Sequence, residues 1–265
     1  MKTSKNPETF EMNEIQFNIE GLQKNPKTIF RDKLIMIFGE FIGTAMLVFF
    51  GCIGCIDWEN LSSSNISGIT APLNFGLVVM FLTQIFGHYT YAVFNPSVTI
   101  AATICRIIDI KLGILYILTQ LAGATIGYGL LKLLIPLNFI PADHCTTQPL
   151  DSISSVQAFL IEFFLTSALI LISCSHWDPR NRHNSDSIPL RMGLTVAGLG
   201  ITGGHLTGAS MNPARTFGPA IWNGQWNSHW IYWIAPLSSG FFSAFLYKFV
   251  FWNKNPKESV GSLKS

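Results

Sequence analysis

Six apolar stretches, each long enough to cross a bilayer, constrain this chain more than any other feature. They run from Leu34 to Ile56, Ile69 to Phe86, Leu112 to Ile135, Val156 to Cys174, Leu190 to Leu206 and Trp230 to Trp252. About 20 such residues carry a helix across the roughly 30 Å hydrocarbon core. No water reaches that core to satisfy a bare N–H or C=O, so the backbone must pair within each segment and the stretches are expected to be helical. Composition agrees. Of 265 residues 49% are hydrophobic and 12% charged, with a mean hydropathy of +0.36, a balance that a soluble domain has no need of. The expected fold class is an all-α membrane protein.

Orientation follows from the basic residues. Lys24, Lys27, Arg31, Lys33, Arg106, Lys111, Arg180, Arg182, Arg191, Lys254 and Lys257 fall in segments that a six-span topology places on one side. The opposite loops, Asp57 to Gly68 and Asn138 to Ser155, contain no Lys or Arg. The positive-inside rule therefore puts both termini in the cytoplasm. Residues 1–33 read as a cytoplasmic tail without the apolar core or cleavage site of a signal peptide. Residues 34–252 read as the channel domain, with repeats at about 34–135 and 156–252, and 253–265 as a second cytoplasmic tail. Asn65-Ile66-Ser67 is an outward-facing glycosylation sequon, set so close to the second span that a transferase has little reach.

A net charge of +2 without a basic, aromatic-interleaved stripe excludes nucleic acid as a partner and leaves the lipid bilayer. The five cysteines, Cys52, Cys55, Cys105, Cys145 and Cys174, form no framework of spacings. Cys52 and Cys55 lie inside an apolar span without the further ligands of a zinc site, so they read as small packing residues. Neither a disulfide nor a metal is expected. Gly39/Gly43, Gly123/Gly127 and Gly200/Gly204 are small-x-x-x-small pairs suited to close helix packing.

The two halves repeat. Glu40-Phe41-Ile42-Gly43-Thr44 in the first span recurs as Glu162-Phe163-Phe164-Leu165-Thr166 in the fourth, and Tyr116 to Gln120 resembles Tyr232 to Pro236. Three spans per half force the halves into opposite orientations, an inverted 3+3 repeat. Each half also carries a His seven residues before an Asn-Pro: His88 before Asn95-Pro96-Ser97, and His205 before Asn212-Pro213-Ala214. Asn caps the free N–H groups of a helix start and Pro fits its first turn. Two half-helices would then dip from opposite faces and meet near the midplane, where irregular backbone survives only in a protein-lined or wetted cavity.

Paired boxes of this kind inside six apolar spans resemble the aquaporin (major intrinsic protein) family, over about Leu34 to Trp252. One box, Asn212-Pro213-Ala214, is followed by Arg215 as in the family; the other departs from it with Ser97. The resemblance implies six transmembrane helices plus two half-helices in an aquaporin-like right-handed bundle. It implies a passive channel for water and small uncharged solutes such as glycerol and urea, excluding protons and ions, with no cofactor and no enzymatic turnover. A homotetramer in the plasma membrane is implied as well.

In the same way the resemblance places the narrowest ring at Phe75, Gly200, Ala209 and Arg215. Gly200 stands where water-restricted relatives usually carry His, so the ring is wider and suits a polyol, with carbons on Phe75 and hydroxyls on Arg215. Ala209 replaces a Cys common in relatives, so no mercurial block is expected there. Thr216 replaces the Asp usual in the polyol-conducting bacterial branch, and Tyr91 replaces a common Gly. Trp177 to Asn181 together with Leu206 to Arg215 resemble the insect entomoglyceroporins. Glu40 and Glu162 are expected to brace the pore-loop backbone, and His88 and His205 to add hydrogen bonds to it, with pH gating as their other reading.

The alternative within this class is a water-selective pore, narrowed at Tyr91. An adhesive membrane protein has little support, because Asp57 to Gly68 offers a short polar surface. An intramembrane enzyme has less, because His205 and Ser210 lack an orienting carboxylate.

Overall fold

A computed structural model describes residues 26–56 and 69–252. The remainder of both tails, the Asn65 sequon and the loop from Asp57 to Gly68 lie outside the described residues. Within them the chain forms eight α-helices and no strand: α1 (Pro26–Ile53), α2 (Thr70–Thr90), α3 (Pro96–Ile104), α4 (Ile110–Leu134), α5 (Ser155–Trp177), α6 (Ile188–Thr207), α7 (Pro213–Asn223) and α8 (Ile231–Leu246). Helix α1 starts earlier than the apolar pattern suggests, and its Lys33 meets the α4 cap Asp109 at 2.9 Å.

Five of these helices, among the described residues, are long and apolar enough to cross a membrane by composition alone: α1, α2, α4, α5 and α8, the last continued by a π-helical turn to Phe251. Helix α6 is the sixth crossing, although Arg191, His205 and the glycines at 193, 198, 200, 203 and 204 dilute its hydropathy. Of these, Gly193 and Gly200 let α6 lie close along α2.

The bundle turns large apolar side chains outward and buries several polar and charged ones, both unusual for a soluble domain. Leu133 and Phe249 are 77% and 82% exposed, whereas Glu40, Thr44, Gln120 and Glu162 are fully buried. Such an exterior is stable against lipid tails and would aggregate in water. Interior polar groups need partners, because an unmet one costs about 1–3 kcal/mol.

Packing repeats with the sequence. Helix α1 packs on α4 as α5 packs on α8, and half-helix α3 rests on α8 as α7 rests on α4, so each repeat supports the half-helix of the other. Glycine sets the α1–α4 approach: a Cβ on Gly127 would stand 2.1 Å from the Ala45 carbonyl oxygen, and one on Gly123 2.4 Å from that of Phe41. These are backbone atoms of a neighbouring helix and cannot step aside. Gly127→Ala is expected to destabilise the protein by about 1–3 kcal/mol, as overpacking does. Gly198→Ala, where a Cβ meets nothing within 4 Å, should be silent. Thermal melting in detergent of the two variants checks this, and equal melting points would reject it.

At the turn between α5 and α6, Asp178 accepts from Arg180 Nε at 2.9 Å and from the Tyr247 hydroxyl at 3.2 Å. Arg180 also donates to the Phe251 carbonyl at 2.5 Å, tying the α5–α6 turn to the end of α8. The guanidinium beside it holds the Asp178 carboxyl below the usual carboxylate range.

Candidate functional site

The half-helices start as their sequences require. Asn95 has an extended backbone and its Oδ1 accepts from Ser97 N at 2.8 Å, while the Asn212 Oδ1 accepts from Ala214 N at 3.0 Å and Arg215 N at 3.3 Å. Pro96 and Pro213 take the first helical position, where no N–H is needed. The hydroxyl of Ser97 is buried and has no hydrogen-bond partner among the described residues, so it adds nothing to this helix start that Ala214 lacks in the other.

The two starts then clasp each other. Asn95 Nδ2 donates to the Met211 carbonyl at 2.8 Å, and Asn212 Nδ2 donates to the Phe94 carbonyl at 2.9 Å. A carboxamide has two N–H groups, so each asparagine keeps one for the lumen that both line. The loops leading here also match in backbone: Tyr91, Ala92 and Phe94 have φ of 65°, 47° and 45°, and Gly208, Ala209 and Met211 have 82°, 41° and 52°. Left-handed conformations cost a non-glycine residue roughly 1–2 kcal/mol each. Something must hold them.

Two buried carboxylates do so. Glu40 accepts from Val93 N at 3.0 Å, Phe94 N at 2.8 Å and Gln120 Nε2 at 2.8 Å. Glu162 accepts from Ser210 N at 2.9 Å, Met211 N at 2.9 Å and the Thr207 hydroxyl at 2.7 Å. Where the first repeat uses Gln120, the second has Pro236 at the matching position, and Thr207 supplies the third donor. Behind each carboxylate a buried tyrosine completes the cradle: Tyr116 donates to the Thr90 carbonyl at 3.2 Å and Tyr232 to that of Thr207 at 2.7 Å. The sequence repeat contains both tyrosines, but nothing in it assigns them this contact.

His88 and His205 require a correction. Neither hydrogen-bonds the loops among the described residues. His88 lies on the wall of the inner cavity, its ring 4.0 Å from that of Tyr89, and His205 on the wall of the outer one. Each sits in the last turn of its helix on the lumen side, and the Thr90 and Thr207 hydroxyls take the loop N–H groups of Ala92 and Ala209 instead.

Two cavities, of about 400 and 360 Å³, share Ala92, Val98 and Met192, so their walls run on from one to the other through the bundle. Phe75, Gly200, Ala209 and Arg215 all line the outer one together with both asparagines; Tyr91 lines the inner one. The Arg215 guanidinium carbon lies 4.9 Å from the centre of the Phe75 ring, a cation–π contact, and Nη1 donates to the Cys145 carbonyl at 2.6 Å. Guanidinium has five N–H donors, which leaves some for a passing solute.

In the loop between α4 and α5, Cys145, Thr146 and Thr147 turn inward and line the outer cavity. Asn223 holds that loop by donating to the Thr146 hydroxyl at 3.0 Å and the His144 carbonyl at 2.9 Å. His144 contacts the Cys52 carbonyl at 2.8 Å, and burial holds its imidazole below the usual value, hence neutral near pH 7.

The expectation of no disulfide is also overturned: Cys52 and Cys145 are bonded, 93 residues apart. The bond ties the end of α1 to the inward-turning loop, which spacing alone cannot reveal. For metals, no group of three or more His, Cys, Asp or Glu suited to a metal ion occurs among the described residues.

The family model described as major intrinsic protein matches residues 30–247. The chain is similar to aquaporin-2 of Homo sapiens, 34% identical over 214 residues that cover 81% of this chain and 78% of that protein. It is similar to aquaporin-4 of Mus musculus, 33% identical over 216 residues that cover 81% and 67%. Among solved structures it resembles the X-ray structure of the aquaglyceroporin from Plasmodium falciparum, with a TM-score of 0.73 and 27% identity over 82% of this chain and 96% of that one.

Proposed function

Because the chain belongs to the major intrinsic protein family, and is thus a multi-pass membrane channel for water and small solutes rather than an enzyme, we propose that it passes glycerol and urea as well as water. It excludes protons and ions in this reading, and works as a homotetramer in the plasma membrane with both termini cytoplasmic. The channel unit is residues 34–252, with repeats at about 34–135 and 156–252.

The observation that carries the polyol reading is the ring around Arg215. Gly200 contributes no side chain, Ala209 only a methyl, and Phe75 lies under the guanidinium. The result is a slot with an apolar wall and a row of donors, matched to a molecule whose carbons and hydroxyls lie on opposite sides. The solved relative described as an aquaglyceroporin is a further support. Deeper in, one N–H from each of Asn95 and Asn212 and the positive ends of α3 and α7 act on the solute together. A water or hydroxyl oxygen that accepts there cannot pass a proton onward, and cations are repelled.

Osmotic swelling of proteoliposomes tests this. Wild type is expected to admit water and glycerol, and Gly200→His to keep water and lose most glycerol flux. A Cβ at Gly200 would stand 3.0 Å from Pro72 Cβ, so Gly200→His with Pro72→Gly is the companion that removes the contact. A wild type that passes water alone rejects the polyol reading.

A second reading, a water-selective pore, has its own observation: Tyr91 holds a left-handed backbone and lines the inner cavity, where the second repeat has Gly208. If wild type passes only water and Tyr91→Gly gains glycerol flux, the narrowing is at Tyr91.

A further inference from the structure

Three sulfur atoms meet at the outer end of the conduit. Cys52 and Cys145 form the disulfide, and the free thiol of Cys55 lies 3.8 Å from the Cys145 Sγ. Cys55 follows the last turn of α1, is half-buried and lines the outer cavity, so solvent entering the conduit meets it. Cys52, three residues before it, is fully buried. Cys145 is the sulfur common to both contacts. Its backbone is left-handed with φ 59°, and its carbonyl is the one that accepts from Arg215.

Disulfides exchange when a thiolate reaches one of the bonded sulfurs. Cys55 already touches one. We propose that Cys52, Cys55 and Cys145 form a thiol–disulfide exchange site in which Cys145 alternates between Cys52 and Cys55. The Cys55 thiol releases its proton to water, its sulfur bonds to Cys145 Sγ, the Cys52–Cys145 bond breaks, and Cys52 departs as a thiolate that takes up a proton. One disulfide and one thiol stand on each side of the step. It needs no oxidant and no reductant.

The two isomers differ in what the conduit presents. With Cys52 bonded, a nucleophilic thiol faces incoming solutes beside the ring; with Cys55 bonded, the remaining thiol is at the buried Cys52. The exchange also moves the sulfur partner of the residue that holds Arg215. That consequence for permeation rests on the channel reading, whereas the exchange does not.

The test is thiol mapping on the full-length protein purified in detergent without reductant. N-ethylmaleimide is added either at once or after hours in mildly alkaline buffer, the timescale of uncatalysed disulfide rearrangement. Peptide fragmentation then assigns the label to Cys52 or Cys55. Label is expected on Cys55 at first and on Cys52 increasingly with time, while Cys55→Ser gains none at Cys52. Cys52→Ser is expected to bond Cys55 to Cys145 and leave both unlabelled until reduced. Label confined to Cys55 at every time overturns the proposal, and so does a free Cys145 in Cys52→Ser. Because no transport is measured, this failure is separable from failure of the polyol reading.

Discussion

Glu162→Leu is expected to abolish conduction and to lower the stability of the fold by about 2–6 kcal/mol, since it strands two buried N–H donors at about 1–3 kcal/mol each. Those donors are Ser210 N and Met211 N, and a leucine offers them nothing. The Thr207 hydroxyl has the Gly203 carbonyl within 3.5 Å as a second acceptor and suffers less. Against a total of roughly 5–15 kcal/mol the loss is large. Met211 also presents its carbonyl to Asn95, so the damage reaches the midplane. Glu40→Leu should act alike through Val93 and Phe94. Glutamine substitutions should fall between, because one carboxamide oxygen replaces two acceptors. Melting temperature, the yield of monodisperse protein and proteoliposome swelling report the three consequences. Wild-type swelling and melting in Glu162→Leu would show that the loop holds itself.

The second large effect is expected at Arg215. With Val in its place the channel should keep its water flux and admit monovalent cations and protons. A unit charge about 4 Å from a permeating cation contributes about 4 kcal/mol at an effective dielectric of 20. At 1.4 kcal/mol per tenfold, its removal raises cation passage by about a thousandfold. Arg215 is nearly buried, so salt screens it poorly. Arg215→Lys keeps the charge and loses the planar fork, and should stay tight to cations while changing solute preference. Vesicles with a pH-sensitive dye and an imposed potassium diffusion potential measure both variants. Arg215→Val as impermeable as wild type would move the barrier to the asparagine pair and the half-helix ends.

How much of this was legible in the sequence depends on how local each cause is. The half-helix starts were legible at Asn95-Pro96 and Asn212-Pro213, because capping and the fixed φ of proline act within one turn. The spans were legible as long apolar runs, α6 least clearly, since its five glycines, some of them serving packing on α2, lower its hydropathy. The bracing glutamates were visible as a repeat, and the threonine, tyrosine and glutamine contacts around them were not, because those form only when distant helices meet. The same holds for the disulfide. Cys52 and Cys55 are equivalent by spacing, and only the inward turn of the loop at Cys145 singles one out. The positions of His88 and His205 are regular in the repeat, whereas the direction of their side chains is set by the lumen, which the repeat does not contain.

The reciprocal clasp between the loop tips has a consequence for biosynthesis. Asn95 finds its acceptor at Met211, which the ribosome adds 116 residues later. At roughly 5–20 residues per second that is on the order of ten seconds during which the first half-helix has no counterpart. Its final seat therefore waits for the second half of the polypeptide. A ribosome stalled before the second box leaves a nascent chain whose permeation path has never existed.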